Sequence, residues 1–226
     1  MLNPGAECNA GLLRPRFGRI RTAAWYLFGW SLCSIWVRRY LNAKVVGRSS
    51  VPAKGSFIFA SNHASYLDPI LLGTSIHRSL NYMAQEGLFE KGFFGWAMPR
   101  VQAFPVKRGE GDLGAIRQAL KLLKTGKPLV MFPEGTRTEN RELQHGKPGI
   151  GFIVARSGVP VVPAYIEGSF DVLPKDAKEL KRRQIKVYIG EPMQFEATND
   201  RAAYQKISDD IMARIAGLKE FCEASA

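Results

Sequence analysis

A histidine and an aspartate five residues apart, His63 and Asp68, are the residues of this chain best suited to acid–base chemistry. Pro69 disfavours helical geometry at Asp68 and suits the first turn of a helix, so we expect a turn between the two side chains. With that turn, the carboxylate can hold one ring nitrogen and leave the other free to take a proton from a hydroxyl. The alternative is that His63 is a turn residue and that Asp68 only caps the helix.

The pair follows a short apolar segment, residues 56–60, which comes directly after Lys54 and Gly55. We predict a strand here, because a short run of strand-forming residues bounded by turn residues is typical of a buried strand. His63 then lies just past the carboxyl end of that strand. Ligands and reactive groups collect at this end of the strands in open α/β sheets.

Two cations follow a second predicted strand. The apolar residues 103–106 run directly into Lys107 and Arg108. Adjacent cations at the end of a strand can bind an anion. The alternative is an ordinary solvated turn.

A third predicted strand, residues 128–132, leads into Glu134 and the three residues after it. Gly135 lets the backbone approach a ligand closely, Thr136 offers a hydroxyl, and Arg137 is shaped for bidentate contact with phosphate. A plain polar loop is the alternative. Together with the histidine and its carboxylate, these groups describe a site for a phosphorylated substrate that has a hydroxyl to deprotonate.

Predicted strands alternate with predicted helices along the chain. The clearest helices begin after Asp112 and end at Gly126, span residues 148–157 and end at Gly158, and begin near the end of the chain at a cap formed by Thr198 or Asn199. This order predicts an α/β fold, a single domain with a central, mostly parallel or mixed sheet flanked by helices. The length of 226 residues, 46% of them hydrophobic, suits one domain, which we place at residues 45–226 after an N-terminal segment at 1–44.

The cysteines and histidines predict no metal site. Cys8, Cys33 and Cys222 are widely spaced and form no CxxC pair, so neither a disulfide framework nor a zinc site is indicated. A reducing, cytosolic compartment is the simpler expectation. A zinc enzyme that recruits His77 and His145 is an alternative, but the spacing matches no usual ligand pattern.

The net charge of +12 is concentrated near the N-terminus, where residues 1–48 carry eight basic groups and one acidic group. Within this block, residues 22–37 are uncharged and mostly apolar, with aromatic side chains near both ends. Nucleic-acid-binding segments interleave charge with aromatic residues, whereas aromatic residues at the ends of an apolar helix are typical of membrane interfaces. The sequence therefore predicts an anionic phospholipid membrane surface as a partner, and no nucleic acid.

The apolar run is short for a membrane span. As a helix it is about 24 Å long, less than the ~30 Å hydrocarbon core, and arginines flank it on both sides. We expect an in-plane, monotopic anchor through residues 22–41 on the cytoplasmic face of the membrane. The alternative is a helix packed on the domain.

Four segments in chain order resemble the motifs of the glycerolipid acyltransferases, and the 1-acyl-sn-glycerol-3-phosphate acyltransferase type most closely. These segments, which fall within residues 45–195, are Asn62-His63 with Asp68, residues 104–108 (Phe-Pro-Val-Lys-Arg), residues 132–137 (Phe-Pro-Glu-Gly-Thr-Arg) and residues 159–163 (Val-Pro-Val-Val-Pro). The set is specific for the family and much less specific for the acceptor.

The resemblance implies transfer of a fatty acyl group from an acyl-coenzyme A or acyl-carrier-protein thioester to a lysophospholipid. With lysophosphatidic acid as acceptor, the sn-2 hydroxyl is acylated and phosphatidic acid is formed for phospholipid biosynthesis. Glycerol 3-phosphate or another lysolipid is the alternative acceptor. The mechanism needs no metal, cofactor or covalent intermediate.

The resemblance also implies roles for single residues. His63 is the general base and Asp68 orients it. The predicted substrate-binding residues are Asn62, Lys107, Arg108, Glu134, Gly135, Thr136 and Arg137. Gln85 departs from the family pattern, because many members have lysine after a similar strand.

Two other functions compete with acyl transfer. A hydrolase could use Ser65 as nucleophile beside His63, although the chain has no G-x-S-x-G elbow. A non-catalytic membrane-binding module would explain the basic, apolar N-terminal segment but not the four motifs.

Overall fold

A seven-stranded sheet forms the centre of the protein in this computed structural model, which describes residues 19–90, 92–107, 112–174, 177 and 179–224. The strands are β1 (Lys44–Val46), β2 (Ile58–Ser61), β3 (Asn81–Gln85), β4 (Ala103–Val106), β5 (Leu129–Met131), β6 (Val161–Glu167) and β7 (Lys186–Ile189). Their order across the sheet is β1-β7-β6-β2-β5-β3-β4, and every neighbouring pair is parallel except β6 and β7. The predicted α/β fold with a mostly parallel, mixed sheet is therefore confirmed.

Helices cover both faces of this sheet. They are α1 (Arg19–Tyr40), α2 (Asp68–Ser75), α3 (Gly92–Ala97), α4 (Leu113–Lys124), α5 (Pro148–Ser157), α6 (Ser169–Val172) and α7 (Arg201–Ala224). The central strand β2 is apolar on both sides, as a strand buried between two helical layers requires. Phe59 packs in the core cluster that includes α2, whereas Ile58 and Ala60 pack in the cluster that includes α4, α5 and α7.

Three helix ends show how local signals position the elements. Asp112 caps α4 by accepting a hydrogen bond from the amide of Ala115, and Gly158 ends α5 in the left-handed conformation at φ 63°, both as predicted. The predicted caps of the last helix are wrong. Its first turn is held by Asp200, whose carboxylate accepts from the amide of Ala202.

Close packing of α5 on α7 depends on a glycine. A Cβ atom at Gly151 would overlap the carbonyl oxygen of Tyr204, so only glycine lets the two helix backbones come this close. This contact fixes α5, whose first residue follows the loop that carries Arg137.

Where the structure describes its side chains, from Phe28 to Tyr40, helix α1 packs on the domain through one face. Ser34 and Val37 are buried on this face, and the indole Nε1 of Trp30 donates to the carbonyl oxygen of Gly73 on α2 at 2.8 Å. The alternative of a helix packed on the domain is thus correct for this side of α1.

The opposite face of α1 carries an apolar stripe of four exposed side chains, Phe28, Leu32, Ile35 and Trp36. At 3.6 residues per turn these positions fall within about 100° of arc on the helix surface. None of the helices in the described part of the chain has the length and apolar content needed to cross a bilayer.

Strand direction decides where functional groups meet. Strands β2 to β6 all run the same way, so their carboxyl ends share one edge of the sheet. Strands β1 and β7 run the other way, because β7 is antiparallel to β6 and β1 is parallel to β7. The residues that follow β2, β4 and β5 therefore lie along one edge, and those that follow β1 lie at the opposite edge.

Candidate active site

The His63 and Asp68 side chains are in direct contact. The Nδ1 atom of His63 lies 2.8 Å from the Oδ2 atom of Asp68, and the two side chains are 18% and 1% exposed. The same carboxylate oxygen accepts hydrogen bonds from the amides of Ala64 and Ser65, each at 2.7 Å. Because an ionised carboxylate can only accept, this contact places the histidine proton on Nδ1.

The start of α2 explains this geometry. Asp68 is the first residue of the helix and Leu67 is its N-cap, so the predicted N-cap assignment is one residue off. The carboxylate turns back toward the preceding turn, as Pro69 and the non-helical segment before it predicted. The second oxygen, Oδ1, is buried without a hydrogen-bond partner among the described residues.

The imidazole is also held by an aromatic neighbour. The ring of Phe132 stacks on His63 with centroids 4.0 Å apart and planes at 15°. None of the described residues donates to or accepts from Nε2 of His63, and this nitrogen belongs to the partly exposed ring. The arrangement therefore presents one imidazole nitrogen to a proton donor and fixes the other.

The loop after β5 holds the backbone of His63. Its amide donates to Oε1 of Glu134 at 2.9 Å, and its carbonyl oxygen accepts from the amide of Thr138 at 2.8 Å. The second oxygen of Glu134 accepts from the amide of Gln144 at 3.2 Å. Because Glu134 is only 1% exposed and binds two amides, its contacts favour a positioning role over the predicted substrate contact.

The pKa of the buried Glu134 carboxyl is unusually high. Burial raises its pKa from the ordinary 4.5 to about 7, despite the opposing hydrogen bonds from the His63 and Gln144 amides and with a smaller contribution from the negative charge of Asp68. Since the folded-state pKa lies above the unfolded one, the folded protein binds more protons between these two values. The stabilisation of the folded protein that Glu134 contributes is complete below pH 4.5, and it decreases as the pH rises to about 7.

Replacing Glu134 with glutamine is expected to remove this pH dependence. The free energy of unfolding of the wild type, measured relative to Glu134→Gln by urea denaturation, should fall by up to about 3 kcal/mol across that window and level off above it. Glu196→Gln, which removes an exposed carboxylate, is the matched control. A difference between wild type and Glu134→Gln that does not change with pH would contradict the titration.

Arg137 lies beside the histidine segment rather than in open solvent. Its guanidinium stacks on the ring of Tyr66 at 3.5 Å from the centroid, three residues after His63. Its Nη1 atom is buried and has no hydrogen-bond partner among the described residues. A guanidinium held over an aromatic ring with an unused donor is suited to receive an anion.

The tight turn before Arg137 depends on glycine. Gly135 has φ 69°, and a Cβ atom there would lie 3.0 Å from Cδ of Lys147. The exposed Lys147 precedes the first turn of α5 and therefore adds a cation next to the loop. Sequence reasoning did not identify Lys147, Tyr66 or the stacking of Phe132, because none of these contacts follows from spacing along the chain.

The other predicted site residues fall in different places. Asn62 ties β2 to β6, since its side chain donates to the carbonyl oxygen and accepts from the amide of Ile166. Thr136 is half-buried near Arg137. Lys107 is exposed at the end of β4, three strand spacings or roughly 14 Å from β2. Arg108 lies outside the described residues.

The contacts of Ser65 and His77 give little support to a hydrolase or a zinc enzyme. Ser65 is fully buried and its hydroxyl donates to the carbonyl oxygen of Leu173 at 2.7 Å, so it is not presented as a nucleophile beside His63. His77 contacts Arg48 after β1, at the edge of the sheet opposite His63. In the part of the chain that the structure describes, no three histidine, cysteine, aspartate or glutamate side chains form a group that could hold a metal ion.

A histidine paired with a carboxylate, and a guanidinium with an unused donor at the next strand end, form a candidate site for group transfer on an α/β sheet. A model of the acyltransferase family matches residues 42–167, which is more than half of the chain, and the protein therefore belongs to the acyltransferase family. The family predicted from the four motifs is thus confirmed.

Individual relatives indicate which type of acyltransferase this protein resembles. The chain is 36% identical to the 1-acyl-sn-glycerol-3-phosphate acyltransferase of Bacillus subtilis over 66% of this chain and 73% of that protein. It is 28% identical to a chloroplastic 1-acyl-sn-glycerol-3-phosphate acyltransferase of Brassica napus, over 78% of this chain but only 52% of the longer plant protein. These relatives support the predicted enzyme class, a 1-acylglycerol-3-phosphate O-acyltransferase.

A solved structure has the same fold. The 1-acyl-sn-glycerophosphate acyltransferase PlsC of Thermotoga maritima superimposes with a TM-score of 0.72 at 23% identity, covering 91% of this chain and 84% of the other. The similarity supports the α/β architecture described above.

Proposed function

We propose that the protein transfers a fatty acyl group from a coenzyme A or acyl-carrier-protein thioester to the sn-2 hydroxyl of 1-acyl-sn-glycerol 3-phosphate. The product is phosphatidic acid, a precursor in phospholipid biosynthesis. The observation that carries this proposal is the 2.8 Å contact between His63 and Asp68 on the sheet edge that also holds Arg137. The names of the relatives support lysophosphatidic acid as the acceptor.

The reaction needs one base. Nε2 of His63 takes the proton of the acceptor hydroxyl while the oxygen attacks the thioester carbonyl carbon. Asp68 stabilises the imidazolium that forms. The carbon–sulfur bond then breaks, an ester remains on the glycerol, and the thiol leaves with the proton returned by His63. Metal ions and covalent enzyme intermediates have no part in this proposal.

Arg137 positions the acceptor in this scheme. The buried Nη1 donor and the planar guanidinium can bind the phosphate of the glycerol, and Lys147 adds positive charge nearby. Binding the phosphate here places the hydroxyl beside His63 on the adjacent strand end. Such positioning supplies a large part of the rate of a reaction between two substrates.

An assay of thioester release with purified protein tests the function. Wild-type protein is expected to release thiol only when lysophosphatidic acid is added, with phosphatidic acid identified as product by mass spectrometry. Acyl-coenzyme A and acyl-carrier protein are tested separately as donors. Thiol release without an acceptor would indicate a hydrolase, and no release with any donor and acceptor would indicate a membrane-binding module.

Arg137→Ala is expected to raise the KM for lysophosphatidic acid by about tenfold to a hundredfold, because a charge-assisted contact with phosphate is lost. The KM for the thioester should not change. Activity with a monoacylglycerol, which has no phosphate, should be equal in wild type and variant. Arg117→Ala on the exposed side of α4 is the matched control, and an effect of Arg137→Ala on the thioester alone would refute the phosphate contact.

We further propose that the apolar stripe of α1 attaches the protein to the membrane as an in-plane anchor, on the cytoplasmic face. The stripe points away from the domain, and the exposed Arg38 and Arg39 at the end of the helix can bind anionic head groups. This placement holds the protein at the surface where its lipid acceptor resides.

Replacing Leu32 and Ile35 with serine is expected to weaken binding to vesicles that contain anionic lipid by about tenfold or more, because two exposed apolar side chains are lost. Sedimentation with vesicles measures the bound fraction. Leu113→Ser removes an equally exposed leucine from α4 and should bind as wild type. Equal binding of all three proteins would rule out the stripe as the anchor.

A further inference from the structure

A cavity of about 330 Å³ lies between α1 and the body of the domain. Helix α1 lines one side with Ser34, Val37 and Arg38, and α2 lines another with Leu71, Thr74 and Ser75. Val45 and Val187, from strands β1 and β7, extend the apolar part of the wall. The volume falls within the range of about 300–1,000 Å³ that is typical of small-molecule sites.

The polar part of this cavity is positively charged. Arg38 and Arg48 both line it, and no carboxylate of the described residues forms an ion pair with either. Arg48 is anchored by a 2.7 Å hydrogen bond from Nε to the carbonyl oxygen of Ser75. Burial and the like charge of Arg38 lower the pKa of Arg48, so the two guanidinium groups are close enough to repel each other.

The cavity also holds an unused hydroxyl. Ser34 is 6% exposed, and its Oγ has no hydrogen-bond partner among the described residues. The hydroxyls of Thr74 and Ser75, by contrast, donate to carbonyl oxygens within α2. A buried hydroxyl without a partner is costly, and a ligand acceptor in the cavity would satisfy it.

This cavity is separate from the catalytic pair. Arg48 follows β1, whose carboxyl end lies at the sheet edge opposite His63. Helix α2 joins the two places, with Asp68 at its first residue and Ser75 at its last. The cavity therefore does not belong to the acceptor site proposed above.

We propose that this cavity binds a phosphate group through Arg38, Arg48 and Ser34, with the apolar wall receiving the adjoining part of an anionic amphiphile. Two guanidinium groups and one hydroxyl donor suit a phosphate, whose charge relieves the repulsion between the arginines. Since Arg38 and Ser34 belong to α1 while Arg48 belongs to the body, the bound phosphate fastens α1 to the domain. The proposal does not depend on acyl transfer.

Titration calorimetry on the full chain tests this site, with Arg137→Ala as the background so that the acceptor site does not contribute. The probes are inorganic phosphate and water-soluble dihexanoyl phosphatidic acid, at constant ionic strength. We expect saturable binding that Arg38→Gln weakens by about tenfold, the loss of one charge-assisted contact. Ser34→Ala should weaken binding without lowering the melting temperature of the free protein, because its hydroxyl has no partner to lose.

Arg117→Gln is the matched control, since it removes the same charge from an exposed position of α4 that does not line the cavity. It should bind both probes as the background protein does. Phosphate binding as tightly as the lipid would identify free phosphate as the ligand, and binding of the lipid alone would identify a lipid head group. Failure of both probes to bind, or equal weakening by Arg38→Gln and Arg117→Gln, would overturn the proposal.

Discussion

Replacing His63 with alanine is expected to lower kcat for acyl transfer by at least about a hundredfold, because general base catalysis typically contributes that much or more. The structure supports an effect of this size, because among the described residues His63 is the only side chain that contacts the Asp68 carboxylate. No second base is therefore prepared in the same way. The KM for both substrates should change little, because the proposed phosphate contact lies on Arg137. Single-turnover measurements would separate the chemical step from substrate binding.

Two controls make the His63 result interpretable. His63→Gln keeps most of the side chain that packs on Phe132 but supplies no base, so it should be as inactive as the alanine variant. His145→Ala removes an exposed histidine and should retain full activity. Turnover close to wild type in a folded His63→Gln protein would refute the assignment of the base.

The contact between His63 and Asp68 could be predicted because its geometry is local. Pro69 fixes the start of α2, and this start turns the Asp68 carboxylate back onto His63 within a few residues. The convergence of strand ends could also be predicted, because alternating strands and helices favour a parallel sheet. Both features depend on short-range sequence and on general rules of α/β topology.

Contacts between residues that are far apart along the chain could not be predicted from the sequence. The burial of Glu134 and its bond to the His63 amide connect residues 71 positions apart. The stacking of Arg137 on Tyr66 likewise depends on the neighbouring positions of β2 and β5 in the sheet. A sequence pattern shows that such side chains are polar or aromatic, but strand order decides which of them meet.

Strand β1 was missed for a different reason. It has only three residues, Lys44–Val46, and its lysine side chain interrupts any apolar alternation. The strand forms at the sheet edge because β7 offers a free row of backbone groups. Its reversed direction carries Arg48 to the far edge, which is why the cavity beneath α1 could not be foreseen.

Asp68→Asn is expected to lower kcat by at least about a hundredfold while the KM values change little. The amide oxygen of asparagine can replace Oδ2 and accept from the same three donors, so the ring of His63 should keep its orientation. The neutral side chain cannot stabilise the imidazolium that forms as the acceptor hydroxyl loses its proton. Nitrogen NMR of the imidazole should therefore show an unchanged tautomer in a nearly inactive protein.

The same substitution has a predictable effect on stability. The new NH₂ group occupies the place of Oδ1, which is buried and has no partner among the described residues, so an unsatisfied donor is created. The free energy of unfolding should fall by about 1–3 kcal/mol. Asp210→Asn, at an exposed position of α7, is the matched control and should change neither activity nor stability. A folded Asp68→Asn protein with wild-type kcat would show that His63 needs no carboxylate, and the mechanism proposed for this site would be wrong.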